Sequence, residues 1–183
     1  MKVKILDKNE ISEHKRCYLC SVSLYDFLKS LEDNLGKLEK SKKNMDYKYL
    51  ENLTKILFLG DCIPIITLAI LNEQCNNYVD NNLTIDKFEI LDGLHIALEL
   101  NVIAKISEWL FVNFKTDENI EENFINGNMR SLSKEKRQEI IKCGVTDFKQ
   151  AKNIAKQIID TVGIKNVEMY LKEKSWWIEL CYK

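Results

Sequence analysis

The segment from Phe88 to Phe114 constrains the fold most, because its hydrophobic pattern changes repeatedly over a short distance. Phe88 to Leu91 is a short apolar run typical of a strand, and Asp92-Gly93 is a turn dipeptide. Leu94 to Leu100 then carries apolar residues at helical spacing. Ile106 to Phe114 is apolar again and indicates a returning strand. The segment therefore predicts a strand–turn–helix–strand unit, as in an α/β domain.

Local signals elsewhere indicate further strands and helices. The expected strands cover Met1–Leu6, Tyr18–Val22 and the apolar run Cys62–Leu71. Pro64 indicates that the start of this run is a strand entry or an edge. The expected helices cover Leu24–Leu35 with Ser23 as N-cap, Asp46 to Gly60, Ser133 to Gly144, and Thr146 or Asp147 to Gly163. The tail from Lys165 to Lys183 fits either a helix followed by a strand or a hairpin turning at Lys172 to Ser175.

These elements predict a mixed α/β (α+β) fold: a small mixed sheet with flanking helices and a helical C-terminal third. The chain has 183 residues, a length that favours one domain with at most a small appendage. We expect residues 1–115 to form the α/β domain. Residues 116–183 are expected to form a mostly helical C-terminal extension packed on the same domain.

Charge and hydropathy narrow the classes of partner. With 27 basic and 28 acidic residues the net charge is −1, so no global field attracts DNA, although a local basic patch is left open. Met1 to Asn9 lacks the apolar core of a secretory signal. Gly60, Asp61 and Pro64 interrupt the longest apolar stretch before it could span a bilayer. We therefore predict a cytoplasmic protein without a membrane partner.

The cysteine spacing contains one candidate metal or redox pair, Cys17-x-x-Cys20, with His14 three residues before it. Such thiols can bind zinc or form a redox pair. A structural zinc site normally needs a second pair, and Cys62 and Cys75 lie thirteen residues apart in different contexts. If Tyr18 to Val22 is a strand, Cys17 and Cys20 point to opposite faces. We therefore interpret them as buried thiols and predict no metal site.

Trp176-Trp177 is the most conspicuous aromatic pair near the end of the chain. In a strand, alternation would bury one tryptophan and expose the other. A buried tryptophan would seal a small core. An exposed one would indicate an interface with a second copy or another protein.

The turn Asp92-Gly93-Leu94-His95 is the strongest candidate for a binding site. Gly93 permits backbone angles closed to other residues and allows a ligand to approach closely. The following amides would lie at a helix N-terminus, which favours an anion. His95 could donate to a phosphate or act as an acid or base. The alternative is an ordinary Asp-Gly turn with a structural histidine.

The order of elements around this turn, over roughly residues 49–114, resembles the ParB/sulfiredoxin-like superfamily. It is most similar to the branch with Asp-Gly-Gln-Gln-Arg or Asp-Gly-Gln-His-Arg signatures, found in phage-defence and DNA-modification proteins. Asn126-Gly127 and Ser131-Leu132-Ser133 resemble a further segment of that branch. The resemblance implies that Asp92, Gly93 and His95 bind a nucleoside triphosphate with Mg²⁺.

One position departs from the family signature, because Ile96 stands where the family has arginine. Isoleucine supplies neither the charge nor the forked donors that an arginine offers to phosphate. Lys105 and Arg130 are the cations that could replace it. Whether the chain is an enzyme is therefore left open.

Two function classes follow from this reasoning. The first is a divergent nucleotide-binding domain related to phage-defence or DNA-modification proteins, with either a degenerate or a competent site. The alternative is a non-catalytic protein-interaction module, such as an immunity protein, an antitoxin or a phage-encoded inhibitor, with a protein partner or a second copy as ligand.

Overall fold

The computed structural model of the chain describes residues 1–12, 15–34, 47–70, 78–116 and 132–182. The chain divides into two compact units that interleave along the sequence. The first unit contains residues 1–43, 63–98 and 171–183, and the second contains residues 44–62 and 99–170. The units therefore do not divide after residue 115, where the sequence analysis placed a boundary.

The first unit is built on a seven-stranded mixed sheet in the order β4-β5-β1-β2-β7-β3-β6. All neighbouring strands are antiparallel except β3 and β7, which are parallel. The strands are β1 Lys2–Ser12, β2 Lys15–Ser23, β3 Ile66–Ile70, β4 Tyr78–Val79, β5 Asn82–Thr84, β6 Glu89–Asp92 and β7 Ser175–Tyr182. With its helices, this sheet gives the α+β fold that the sequence predicted.

The sheet has one buried face and one that is mostly exposed, because side chains alternate along each strand. The buried face includes Val22, Leu68, Trp176, Ile178 and Leu180. The other face is called the open face below. It carries Cys17, Leu19 and Ser21 of β2, Trp177, Glu179 and Cys181 of β7, Thr67 and Ala69 of β3, and Glu89 and Asp92 of β6. Of these ten residues only Ala69 is buried.

Helix α1 (Leu24–Asn34) contributes the aromatic centre of this unit. Phe27 meets Trp176 edge-on with ring centroids 4.8 Å apart, and it stacks on Phe88 at 6.3 Å. The indole N–H of Trp176 donates to the Pro64 carbonyl at 3.2 Å. The Ser23 hydroxyl accepts from the Asp26 N–H at 3.1 Å, which confirms the predicted N-cap.

The second unit is helical in its described part. It contains α2 (Tyr47–Leu59), α4 (Lys134–Ile141) and α5 (Phe148–Val162), with most of α3 (Leu94–Phe114), a 3₁₀ turn (Ile164–Asn166) and the start of α6 (Val167–Glu173). Ser133 and Asp147 cap α4 and α5, and Gly163 ends α5, as predicted. No helix within the described residues is both long and apolar enough to traverse a bilayer.

Helix α3 corrects the prediction of a returning strand at Ile106 to Phe114. Ile106, Leu110 and Phe114 are buried at a spacing of four residues, which is the period of one helix face. The Ser107 hydroxyl donates to the Ile103 carbonyl at 2.8 Å, so its polar group is satisfied within the helix. The four consecutive apolar residues Trp109 to Val112 concealed this periodicity, because a short apolar run fits a buried strand and a buried helix equally well.

The C-terminal tail adopts the first of the two predicted forms, a helix followed by a strand. Residues 132–182 are therefore mainly helical up to Glu173 and end in a strand inside the sheet. Some sequence predictions lie outside the described residues: the caps and candidates at His14, Asp46, Cys75 and Arg130, and the segment 126–127.

The adjacent tryptophans provide a matched pair for testing this architecture. Trp176 is 3% exposed and Trp177 is 52% exposed, as strand alternation predicted. Trp176→Ala should lower the free energy of unfolding by about 3–5 kcal/mol, because it leaves a large cavity. Trp177→Ala should lower it by about 1 kcal/mol or less. Urea denaturation of both variants measures the difference, and equal losses would contradict the assigned faces.

Candidate functional site

The predicted binding turn joins the edge strand β6 to helix α3. Strand β6 ends at Asp92, Gly93 has a φ of +82°, and α3 begins at Leu94. Asp92 Oδ1 accepts a hydrogen bond from the Gly93 N–H at 2.7 Å. The Ala97 N–H donates to the Gly93 carbonyl at 3.0 Å, which closes the first helical turn. The strand–turn–helix order expected from sequence is therefore present.

Gly93 is required by the packing of the fold itself. A Cβ atom at this position would lie 2.8 Å from Ile66 Cγ1 and 3.3 Å from Ile66 Cα, closer than side-chain atoms approach one another. Its positive φ is also unfavourable for a residue with a side chain. The contact with Ile66 of β3 and the backbone angle of the turn both require glycine, so the glycine does not by itself indicate a ligand.

The three neighbouring positions differ in what they can offer a ligand. Asp92 and His95 are exposed at the N-terminal end of α3. Ile96, at the family's arginine position, is 5% exposed, so a side chain there belongs to the core. Lys105 lies ten residues beyond His95 in the same helix, about 15 Å along its axis, which is too far for its side chain to replace that arginine. The described part of the turn thus offers a carboxylate, an imidazole and helix amides.

The strand register links this turn to a second polar group on the open face. Asp92 is the partner of Thr67 on β3, and Thr67 is in turn the partner of Glu179 on β7. The Thr67 hydroxyl donates to Glu179 Oε2 at 3.1 Å. Three polar side chains on adjacent strands therefore form one row across the open face, with carboxylates at both ends.

The next row of the open face contains two cysteines that the sequence analysis did not combine. Cys17 and Cys181 are direct partners in the β2–β7 ladder, and their Sγ atoms are 3.1 Å apart. Together with a carboxylate oxygen of Glu179, the two sulfur atoms all lie within 4.8 Å of one another. Each of the three residues is half-buried.

The thiols of this unit have pKa values that reflect their positions. Burial, a hydrogen bond with Cys17 and the negative charges of Cys17 and Glu179 raise the pKa of Cys181 to about 12. Burial alone raises the pKa of Cys20 to about 12. Cys20 lies on the buried face, opposite to Cys17, so the two do not form a chelating pair. The interpretation of Cys20 as a buried core thiol is confirmed.

The grouping of Cys17, Glu179 and Cys181 was missed because it joins the two ends of the chain. The available signal was the spacing of Glu179 and Cys181 in the last strand, which places both on one face. Identifying Cys17 as their neighbour additionally requires the pairing of β2 with β7. That pairing is a property of the topology and has no local sequence signature.

The second unit contains a shallow groove of about 340 Å³ on α3 and α4. The Trp109 indole N–H donates to Glu139 Oε2 at 3.3 Å across it. Burial is also the main cause that raises the pKa of Cys143 to about 11. The groove is lined by Lys105, Glu108, Trp109, Val112, Asn113, Glu139, Lys142 and Cys143, a mixed set without a concentration of one charge.

Comparison with known proteins adds no assignment to these sites. The chain matches no protein-family model, no curated protein and no solved structure.

Comparison of Gly93 with Gly60 measures how much the contact with Ile66 contributes to stability. Gly60 also has a positive φ, +87°, but a Cβ atom there would have no neighbour within 4 Å. Gly60→Ala should therefore cost only backbone strain, about 1–2 kcal/mol. Gly93→Ala should cost about 1–3 kcal/mol more, because Ile66 must move. Urea denaturation of both variants tests this, and an equal loss in the two would show that the contact with Ile66 is unimportant.

Proposed function

We propose that this chain is a nucleotide-binding protein that does not hydrolyse its ligand, with its site at the N-terminus of α3. The observation that carries the proposal is the exposure of Asp92 and His95 beside the first amides of a 21-residue helix. The N-terminus of a helix carries a partial positive charge and unsatisfied N–H groups, both of which favour phosphate. The resemblance to the ParB/sulfiredoxin-like superfamily points to the same turn.

The charges around the turn favour a nucleotide that arrives with a metal ion. Asp92, Glu89 and Glu179 all lie on the open face, and their carboxylates would repel a free triphosphate. Mg²⁺ binds one or two carboxylates together with substrate phosphates. In this proposal Asp92 holds the Mg²⁺ of the complex, while His95 and the α3 amides contact phosphate oxygens.

The absence of hydrolysis follows from the residue at position 96. In phosphoryl transfer an arginine adds its positive charge to that of Mg²⁺ in the transition state and raises the rate by several orders of magnitude. Ile96 is buried and apolar. Of the two cations that could replace the arginine, Lys105 lies too far along α3, and Arg130 lies outside the described residues. We accordingly place the protein among degenerate members of the phage-defence or DNA-modification group, acting in the cytoplasm.

A thermal-shift panel of ATP, GTP, CTP and UTP, each with Mg²⁺, tests nucleotide binding. A nucleotide at one hundred times its dissociation constant should raise Tm by about 5–10 °C. Asp92→Asn should abolish the shift, because the side chain loses the charge that holds Mg²⁺. The turn itself should persist, because the amide oxygen can still accept from the Gly93 N–H. His95→Ala should reduce it.

Asp61→Asn is the matched control, because Asp61 is an exposed carboxylate outside this turn. It should leave the shift unchanged. No shift with any of the four nucleotides would refute the proposal, and a larger shift in Asp92→Asn would show that Asp92 repels the ligand.

A second candidate function, a protein-interaction module, is favoured by Trp177. Its side chain is 52% exposed in the middle of the open face, diagonal to the half-buried Leu19 on β2. Across the sheet, Lys4 lies on β1, beyond β2, and Asp92 lies on β6, at the opposite edge. In a dimer with a two-fold axis, each copy uses the same surface. The lysine of one copy would then lie near the Asp92 strand of the other copy, and the reverse.

Light scattering after size exclusion tests self-association through the open face. The chain should elute as a dimer, and Trp177→Lys should convert it to a monomer by placing a charge in the apolar centre. Met169→Lys is the control, because Met169 is 55% exposed in a helix rather than in the sheet. A dimer that survives Trp177→Lys, or a wild-type monomer, would exclude self-association through the open face.

A further inference from the structure

The geometry of Cys17, Glu179 and Cys181 points to a binding site for a thiophilic divalent cation, Zn²⁺ in the first place. It is independent of the nucleotide proposal, since it uses other residues of the open face.

The register of the sheet supplies three donors in the arrangement that such an ion needs. Cys17 and Cys181 face each other across the β2–β7 ladder, and Glu179 lies two residues before Cys181 on the same face. Their donor atoms lie within 4.8 Å of one another. Tetrahedral Zn²⁺ with bonds of about 2.3 Å to sulfur and 2.0 Å to oxygen separates its ligands by roughly 3.5–3.8 Å. The sulfur atoms, now 3.1 Å apart, therefore need to separate by only a fraction of an ångström.

Thr67 provides a further element typical of metal sites, an outer hydrogen bond that orients a ligand. Its hydroxyl donates to Glu179 Oε2, which fixes the carboxylate against β3 and leaves its other oxygen to bind an ion. Outer groups of this kind typically change metal affinity by 10- to 100-fold. A disulfide between Cys17 and Cys181 would require neither Glu179 nor Thr67.

The chemistry of the donors selects the ion. Two thiolates favour Zn²⁺ over Mg²⁺ or Ca²⁺, which prefer oxygen ligands. Three protein donors leave one tetrahedral position for water or for an external ligand. Each thiol that binds gives up its proton to solvent. Two thiolates and one carboxylate then surround the divalent ion, so the site keeps the single net negative charge that it has with both thiols protonated. Because β2 and β7 come from opposite ends of the chain, the bound ion would also cross-link them.

Titration of the reduced, metal-free protein with Co²⁺ tests this inference. Bound Co²⁺ should give sulfur-to-metal charge-transfer absorption and the intense visible bands of tetrahedral coordination, and Zn²⁺ should displace it. Cys17→Ser and Cys181→Ser should remove the charge-transfer band contributed by the missing thiolate or abolish binding. Cys62→Ser is the matched control, since Cys62 is exposed and belongs to no such group among the described residues.

Variants of Glu179 and Thr67 test the contribution of the carboxylate ligand. Glu179→Gln should weaken Zn²⁺ binding at least 10-fold while both thiolates remain. Thr67→Val should weaken it by about 10- to 100-fold, and Thr67→Ser should restore it, which distinguishes a positioning role from simple packing.

Wild-type protein gives a test that does not depend on the folding of any variant. Zn²⁺ should protect Cys17 and Cys181, but not Cys62, from alkylation mapped by mass spectrometry. Absence of thiolate absorption, equal Co²⁺ spectra in both serine variants and wild type, or a Cys17–Cys181 disulfide that persists in reductant with Zn²⁺ present would each overturn the proposal.

Discussion

The pairing of β7 with both β2 and β3 is the constraint on which the first unit depends. This last strand lies inside the sheet, antiparallel to β2 and parallel to β3. Its alternating residues place Trp176, Ile178 and Leu180 in the core and direct Trp177, Glu179 and Cys181 to the open face. A slip of one residue would exchange the two sets and bury a carboxylate. The core and the candidate metal site are thus fixed by the same register.

Sequence reasoning succeeded where the determining interactions are local. The N-caps at Ser23, Ser133 and Asp147 each need only a side-chain oxygen and an amide three residues later. Gly163 ends α5 for an equally local reason. The prediction of a strand at residues 106–114 was wrong because a short apolar run, here Trp109 to Val112, does not distinguish a buried strand from a buried helix. The α+β class survived this error, since the remaining strands are sufficient for the sheet.

The two candidate sites differ in the same way. Asp92, Gly93 and His95 are consecutive or nearly so, and the turn they were predicted to form is present. The cysteine group joins residues 17 and 181, and no spacing rule connects them. The attractive local pattern, Cys17-x-x-Cys20, instead separates its members to opposite faces, because three residues along a strand reverse the side-chain direction. Metal-ligand spacings that hold in loops and turns therefore fail when both cysteines lie in one strand.

The proposed nucleotide and metal sites both use a carboxylate of the open face, but at two separate positions. Asp92 and Glu179 lie on the same face, two strands apart, which corresponds to roughly 10 Å. One ion with bonds of about 2.0–2.6 Å cannot bridge them, so the two proposed cations are separate ions. In the nucleotide proposal the Asp92 carboxylate offers oxygen, which suits Mg²⁺, and the α3 amides face the phosphate. Glu179 has two sulfur atoms beside it, which suit Zn²⁺. The two proposals therefore differ in donor softness: the sulfur atoms beside Glu179 favour a different ion from the one proposed at Asp92.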